Sequence, residues 1–213
     1  MATSSEHRRF YWILGGIVLA AFVLRLAVGW QLAAWNGGDN AVVNPSPLTD
    51  MRTYMDLSGA VAAGEFHTEF DYQPFYYAVF LAGLKYLFGA SLGLMIGVQS
   101  ALGAIAAGLA GLVGRRLGRT GSGAVPACTA GIAAAALTAL ASTLVLYTPF
   151  HLIVTLQSFW LILLLWLMLL VLDRPRWYWA LAAGLVCGCA ILTRGNVYFL
   201  APGMLLALAL AAK

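Results

Sequence analysis

The stretch NPSPLTDMRTYMDLSGAVAAGEFHTEFDYQPFYYAVF, from Asn44 to Phe80, holds Asp50, Asp56, Glu65, Glu69 and Asp71, five of the chain's eight acidic residues. His67, Tyr54, Tyr72, Tyr76 and Tyr77 accompany them, and nearly pure hydrocarbon lies on either side. Carboxylates and phenols gathered in this way can hydrogen-bond a polar substrate and take a proton from it. They can equally be solvated loop charge and helix caps, and at Glu69 and Asp71 the residues alone leave both readings open. Thr49 or Asp50 is placed to cap a helix after Pro47. Met51, Tyr54, Met55, Val61 and Ala62 recur at helical spacing, which predicts an amphipathic helix over 50–63 lying on a membrane surface. Asp50 opens that helix, and Tyr54 follows one turn later on the same face. As a bare cap, Asp50 would contribute about 1 kcal/mol.

The elements that must position this stretch are dictated by composition. Of 213 residues, 62% are hydrophobic and only 9% charged, far from the roughly one quarter charged of a soluble domain. The expected fold is therefore an all-α, polytopic transmembrane helical bundle, a single domain over 1–213, with an outer-face loop containing amphipathic helices. The net charge of +4 is scattered through short loops, so it marks membrane topology and not nucleic-acid binding. Cys128, Cys187 and Cys189 all lie in apolar segments and read as small packing residues.

Apolar runs cover Trp12–Trp35, Pro74–Gly89, Gly93–Gly114, Val125–Tyr147, Leu152–Leu172, Trp177–Thr193 and Val197–Ala212. The first is too long for the core of a cleavable signal and reads as a retained anchor with Arg8 and Arg9 inside. The run from Pro74 is short for a span and carries Lys85. If it crossed, Arg115, Arg116, Arg119, Arg174 and Arg176 would all lie outside. If it stays in the interface or re-enters, all five join Arg8 and Arg9 on the cytoplasmic side. The second arrangement predicts six crossings, with Asp50 and the turn at Arg194 both facing outward. A chain ending at Lys213, on the edge of a span, reads as the amino-terminal part of a longer protein. Arg194 has snorkelling as its plain alternative, and His151 reads as structural.

An outward aspartate after the first span, opening a D-x-x-x-Y helix, resembles the C-type membrane glycosyltransferases, in particular their protein O-mannosyltransferase and aminoarabinose transferase branch. LTDMRTYMDLSGAVAAGEF, DYQPFYYAVFLAGLKYLFG, GLVGRRLGR and ILTRGNVYFLAP carry the likeness, which covers most of residues 10–205. It implies an inverting enzyme of the plasma (inner) membrane that moves a sugar from a polyprenyl-phosphate donor to an acceptor hydroxyl on the outer face. Asp50 matches the family's catalytic aspartate. Tyr54, Glu69, Asp71, Gln73 and Arg194 become candidates for substrate binding, with Arg194 the cation for the leaving phosphate. Its partners would be a lipid-linked sugar donor and membrane lipids. Two positions depart from the pattern: Gln73 stands where lysine is frequent, and Gln157 where an acidic residue is frequent. The second leaves a divalent metal cofactor open. A transporter, or a non-catalytic assembly subunit, is the reading from another class. Transporters place ionisable groups near the midplane, and here Arg25 is the clear mid-span charge while the acids gather outside.

Overall fold

The computed structural model describes residues 4–35, 40–65, 73–89, 91–120 and 125–211, and among them every element is helical. Three helices are long and apolar enough to cross a membrane: α1 (Ser4–Ala34), α4 (Leu92–Thr120) and α7 (Val154–Asp173). The other runs give shorter helices: α5 (Ala127–Leu140), α6 (Ser142–Tyr147), α8 (Trp177–Thr193) and α9 (Leu200–Ala211). Between α1 and α4 lie α2 (Asp50–Ala62), a π-helical turn (Phe75–Leu81) and α3 (Ala82–Phe88). The expected six crossings thus meet three helices of full spanning length.

Glycines on α4 set the architecture. A Cβ at Gly111 would fall 2.6 Å from Leu14, one at Gly108 2.9 Å from Val18, and one at Gly103 2.6 Å from Arg25 Nε. These pairings run in opposite directions along α1 and α4, so the two helices are antiparallel. On its other side α4 meets α5: a Cβ at Gly114 would fall 2.9 Å from the Ala130 carbonyl, and one at Gly118 3.0 Å from the Ala127 Cα. Such close approach replaces the hydrophobic drive that apolar helices lack among themselves in lipid. At one end Arg115 reaches His7 at 2.6 Å, and Arg116 pairs with Asp173 through an Nε–Oδ2 bond of 2.6 Å. Arg119, Arg174 and Arg176 follow at the same end, so α1 and α5 leave this basic end while α4 and α7 return to it. Residues 40–91 therefore begin and finish at the opposite end.

The apolar run Val125–Tyr147 is helical on either side of a break at Ala141, whose ψ of 106° is not helical. Residues 142 and 143 would ordinarily donate to the carbonyls of Thr138 and Ala139. Arg25 takes their place, donating from Nη1 to Ala139 O at 3.0 Å and from Nη2 to Thr138 O at 3.1 Å. Nη1 also reaches Ala21 O at 3.3 Å. The guanidinium is 1% exposed, and it is the absence of a side chain at Gly103 that leaves room for it.

At the opposite end α2 matches the expected amphipathic helix, but its covered face meets protein. Tyr54 and Ser58 are buried, and Tyr54 packs edge-on against Tyr76 at 5.0 Å. Thr49 occupies the cap position without a side-chain cap bond, because its hydroxyl donates to Ser46 O at 2.7 Å. Asp50 is thus the first helical residue and not the cap.

Gly131 tests the close packing. Its Cβ would lie 2.7 Å from the Gly111 carbonyl and 2.8 Å from Phe10 and from Arg115 Cβ, and a backbone carbonyl cannot swing aside. Gly131→Ala should destabilise by about 1–3 kcal/mol, lowering the melting temperature in detergent. Gly188→Ala, with nothing within 4 Å, should be neutral or stabilising by up to about 1 kcal/mol. Equal melting temperatures for the two variants would refute the account.

Candidate functional site

Asp50 is exposed at the start of α2, where a carboxylate faces the positive end of the helix. Tyr54, one turn on, is buried, and its hydroxyl donates to Gln73 Oε1. Gln73 adopts a left-handed backbone, φ 57°, which turns the chain into Pro74 and the π-helical turn. The structure therefore brings together Tyr54 and Gln73, two of the candidates, and commits the Gln73 side-chain amide oxygen to Tyr54 of α2. Glu69 and Asp71 lie outside the described residues.

Lys85 plays a part that spacing did not reveal. Its Nζ donates to Met55 O at 2.8 Å and to Ser58 Oγ at 2.7 Å, fixing α3 against the middle of α2. It shares a cavity of about 210 Å³ with His151, Ser91 and apolar side chains including Leu84 and Met95. Burial pushes the Lys85 ammonium below its ordinary pKa, while the charge of Asp56 opposes that shift. His151 is 7% exposed, and its Nδ1 finds no partner among the described residues. Burial, helped by the charge of Lys85, brings its pKa down to about 4.

Arg194 ends α8 in an extended conformation, φ −155° and ψ 114°, and a short 3-10 helix, Gly195–Phe199, follows. A cation at a helix carboxyl end is favourable in itself. Here it also lines a cavity of about 400 Å³ with Val154, Gln157, Ser158, Asn196 and Val197. That cavity shares Leu161 and Leu200 with a second space of about 400 Å³, an almost purely apolar groove between α7 and α9. The groove runs down α7 past Leu164, Met168 and Leu172, and is flanked on α9 by Gly203 and Met204. Leu165, Leu172 and Phe199 leave it open at the side, being 43%, 44% and 82% exposed.

The amino end of α7 joins the two regions. Ile153 and Leu156 pack with Tyr54, Tyr76 and Tyr77 in one core cluster, whereas Val154, Gln157 and Ser158, about 100° around the helix, face Arg194. Tyr54 of α2 and Arg194 therefore lie toward neighbouring faces of the amino end of α7, and Asp50 is not part of the Arg194 cavity wall. Among the described residues no group of three or more His, Cys, Asp or Glu side chains is arranged to hold a metal ion. Comparison with protein-family models, curated proteins and solved structures gave no match to the chain.

His151 makes a pH-dependent prediction. Its folded pKa of about 4 lies below the ordinary 6.5, so the stability of keeping it neutral is present above pH 6.5 and is lost as pH falls toward 4. The full loss is on the order of 3 kcal/mol. Thermal unfolding of the detergent-solubilised protein between pH 7 and 4 should show a steeper decline for the parent than for His151→Gln. Parallel curves would mean that His151 is solvated in the native protein.

Proposed function

We propose that this chain is a membrane glycosyltransferase that moves a sugar from a polyprenyl-phosphate donor to an acceptor hydroxyl at the outer face. The observation that carries the reading is the polar mouth at Arg194 opening into the apolar α7–α9 groove, a layout suited to a charged head and a long tail. From Val154 in the mouth to Leu172 at the foot of the groove, the path along α7 is about 27 Å at 1.5 Å per residue. That approaches the whole hydrocarbon thickness of about 30 Å. An ordinary acyl chain occupies one leaflet, so a path of this length suits a polyprenyl chain better.

In this reading the Arg194 guanidinium holds the phosphate through two parallel bonds. Asp50 takes the proton of the acceptor hydroxyl, whose oxygen attacks the anomeric carbon from the side opposite the phosphate. The bond from that carbon to the phosphate oxygen breaks with its electron pair, configuration inverts, and the proton on Asp50 passes to water. A phosphate leaves as a stable anion, so one carboxylate suffices where a glycosidase needs two. Tyr54 and Gln73 serve the site by fixing the helix that carries Asp50.

The basic end of the bundle supports a cytoplasmic assignment for that end, which turns Asp50 and Arg194 outward. The broken α5–α6 segment beside Arg25 is the observation that favours a transporter, since transporters use discontinuous helices at the midplane. There, however, the guanidinium is already bound by the Thr138 and Ala139 carbonyls.

Two experiments check the reading. With the native cysteines replaced, a cysteine at Thr53 should react with an impermeant thiol reagent in intact cells and one at Thr120 should not. The reverse pattern would invert the topology. Asp50→Asn should lower sugar transfer by about 10²–10⁴-fold with unchanged expression and melting temperature. A folded Asp50→Asn variant of undiminished activity would remove Asp50 from the chemistry.

A further inference from the structure

Positive charge gathers at the end of the bundle away from α2 and Arg194. Seven of the chain's twelve Lys and Arg residues lie there, from Arg8 on α1 to Arg176 after α7, against two of its eight acids, Glu6 and Asp173. Arg115 is 4% exposed, with its guanidinium 4.3 Å from the Phe10 ring centre and its Nη2 2.6 Å from His7 Nδ1. Arg116 donates to both oxygens of Asp173, from Nε and Nη2, and this fork joins α4 to α7 as a neutral pair. Arg119, one turn further along α4, and Arg174, next to Asp173, both act electrostatically on the same carboxylate, and both are exposed. Among the described residues the ion pairs are Arg52–Asp56 and Arg116–Asp173. The charges of Arg119 and Arg174 are therefore left over, one on each side of a pair that is already neutral.

Depth selects the anion. The 20 residues of α7 rise about 30 Å at 1.5 Å per residue, which matches the usual hydrocarbon thickness. Arg174 follows that helix immediately, at the level of lipid phosphates. Trp177, 77% exposed, is of the type enriched at this boundary, and Leu117, 50% exposed, adds apolar surface just before Arg119. We propose that Arg119 and Arg174 bind the phosphate of an anionic phospholipid, which bridges the ends of α4 and α7 across the Arg116–Asp173 pair. The phosphate oxygens accept hydrogen bonds from both guanidiniums, and the acyl chains lie against the apolar surface below. Fastened to Arg116, the Asp173 carboxylate presents little charge of its own to the phosphate. A zwitterionic lipid brings a cation with its phosphate, and that cation is repelled by the surrounding arginines. Free phosphate gains the charge interaction but not the apolar contact. The site is separate from the Arg194 cavity and does not depend on the sugar-transfer reading.

The test follows thermal unfolding of the full chain in nanodiscs of phosphatidylcholine, with and without phosphatidylglycerol. The anionic lipid should raise the parent's melting temperature by about 2–4 °C. Salt at about 1 M, where the screening length is about 3 Å, should remove most of that gain. The double variant Arg119→Gln, Arg174→Gln should unfold like the parent in phosphatidylcholine and gain nothing from phosphatidylglycerol. Each single variant, gentler on folding, should lose at least half of the gain. The double variant Arg8→Gln, Arg9→Gln removes as much charge from α1 and should keep the gain. A parent that phosphatidylglycerol does not stabilise, or an Arg119→Gln or Arg174→Gln variant with the full gain, overturns the site. Equal losses in the two double variants would make the attraction a diffuse property of the basic end and overturn a site at Arg119 and Arg174. Inorganic phosphate that stabilises the parent in phosphatidylcholine as much as the anionic lipid does would assign these arginines to a soluble anion and overturn the lipid.

Discussion

A guanidinium buried in a bundle this apolar must have acceptors supplied by the protein itself, and much of the architecture follows from how Arg25 obtains them. Charged side chains inside a membrane are tolerated when carbonyls or counter-charges satisfy them. The free carbonyls come from interrupting the helix at Ala141, and the space comes from Gly103. The charge, the break and the glycine are one feature seen from three helices. Removing any one leaves the other two as defects: a gap, unbonded carbonyls or an unsolvated cation. This shared dependence fixes how α1, α4 and α5 sit against one another along their length, and so where their ends lie relative to each other.

That arrangement also positions the end of the bundle that carries α2 and Arg194. The antiparallel pairing of α1 and α4 requires the 40–91 segment to leave and return at one end. There it is fastened by Lys85 to the Met55 carbonyl and by Tyr54 to Gln73. The amino end of α7 then serves as a shared post. One of its faces backs the tyrosine cluster through Ile153 and Leu156, and the next lines the Arg194 cavity through Gln157. A small rotation of α7 would change both faces together.

Legibility from sequence followed the range of the interactions. The α2 helix was readable to within a residue because its apolar spacing is local and strong. Charge counting over positions such as Arg115 and Arg174 is the ground for expecting Pro74–Gly89 not to cross, because such positions respond to topology as a whole. The break at Ala141 was not legible, as no glycine or proline marks it and its cause, Arg25, is more than a hundred residues away. Likewise Tyr54 announced itself by spacing, but its tie to Gln73 is a tertiary fact. Arg194 was visible as an isolated cation between apolar runs. Gln157 was visible only as a departure from an expected acid.

The groove between α7 and α9 opens sideways, toward where the acyl chains of the bilayer would lie. A molecule that enters from the side arrives by diffusion in two dimensions, and its occupancy follows its mole fraction among surrounding lipids, not its molarity. Bulk lipid tails will wet the same leucines whenever a rarer chain is absent, at little difference in free energy per methylene. Such a surface retains a long chain without selecting it. In the proposed reading, a scarce lipid wins the groove only through what its head does at the mouth, and changes in membrane composition act as competition.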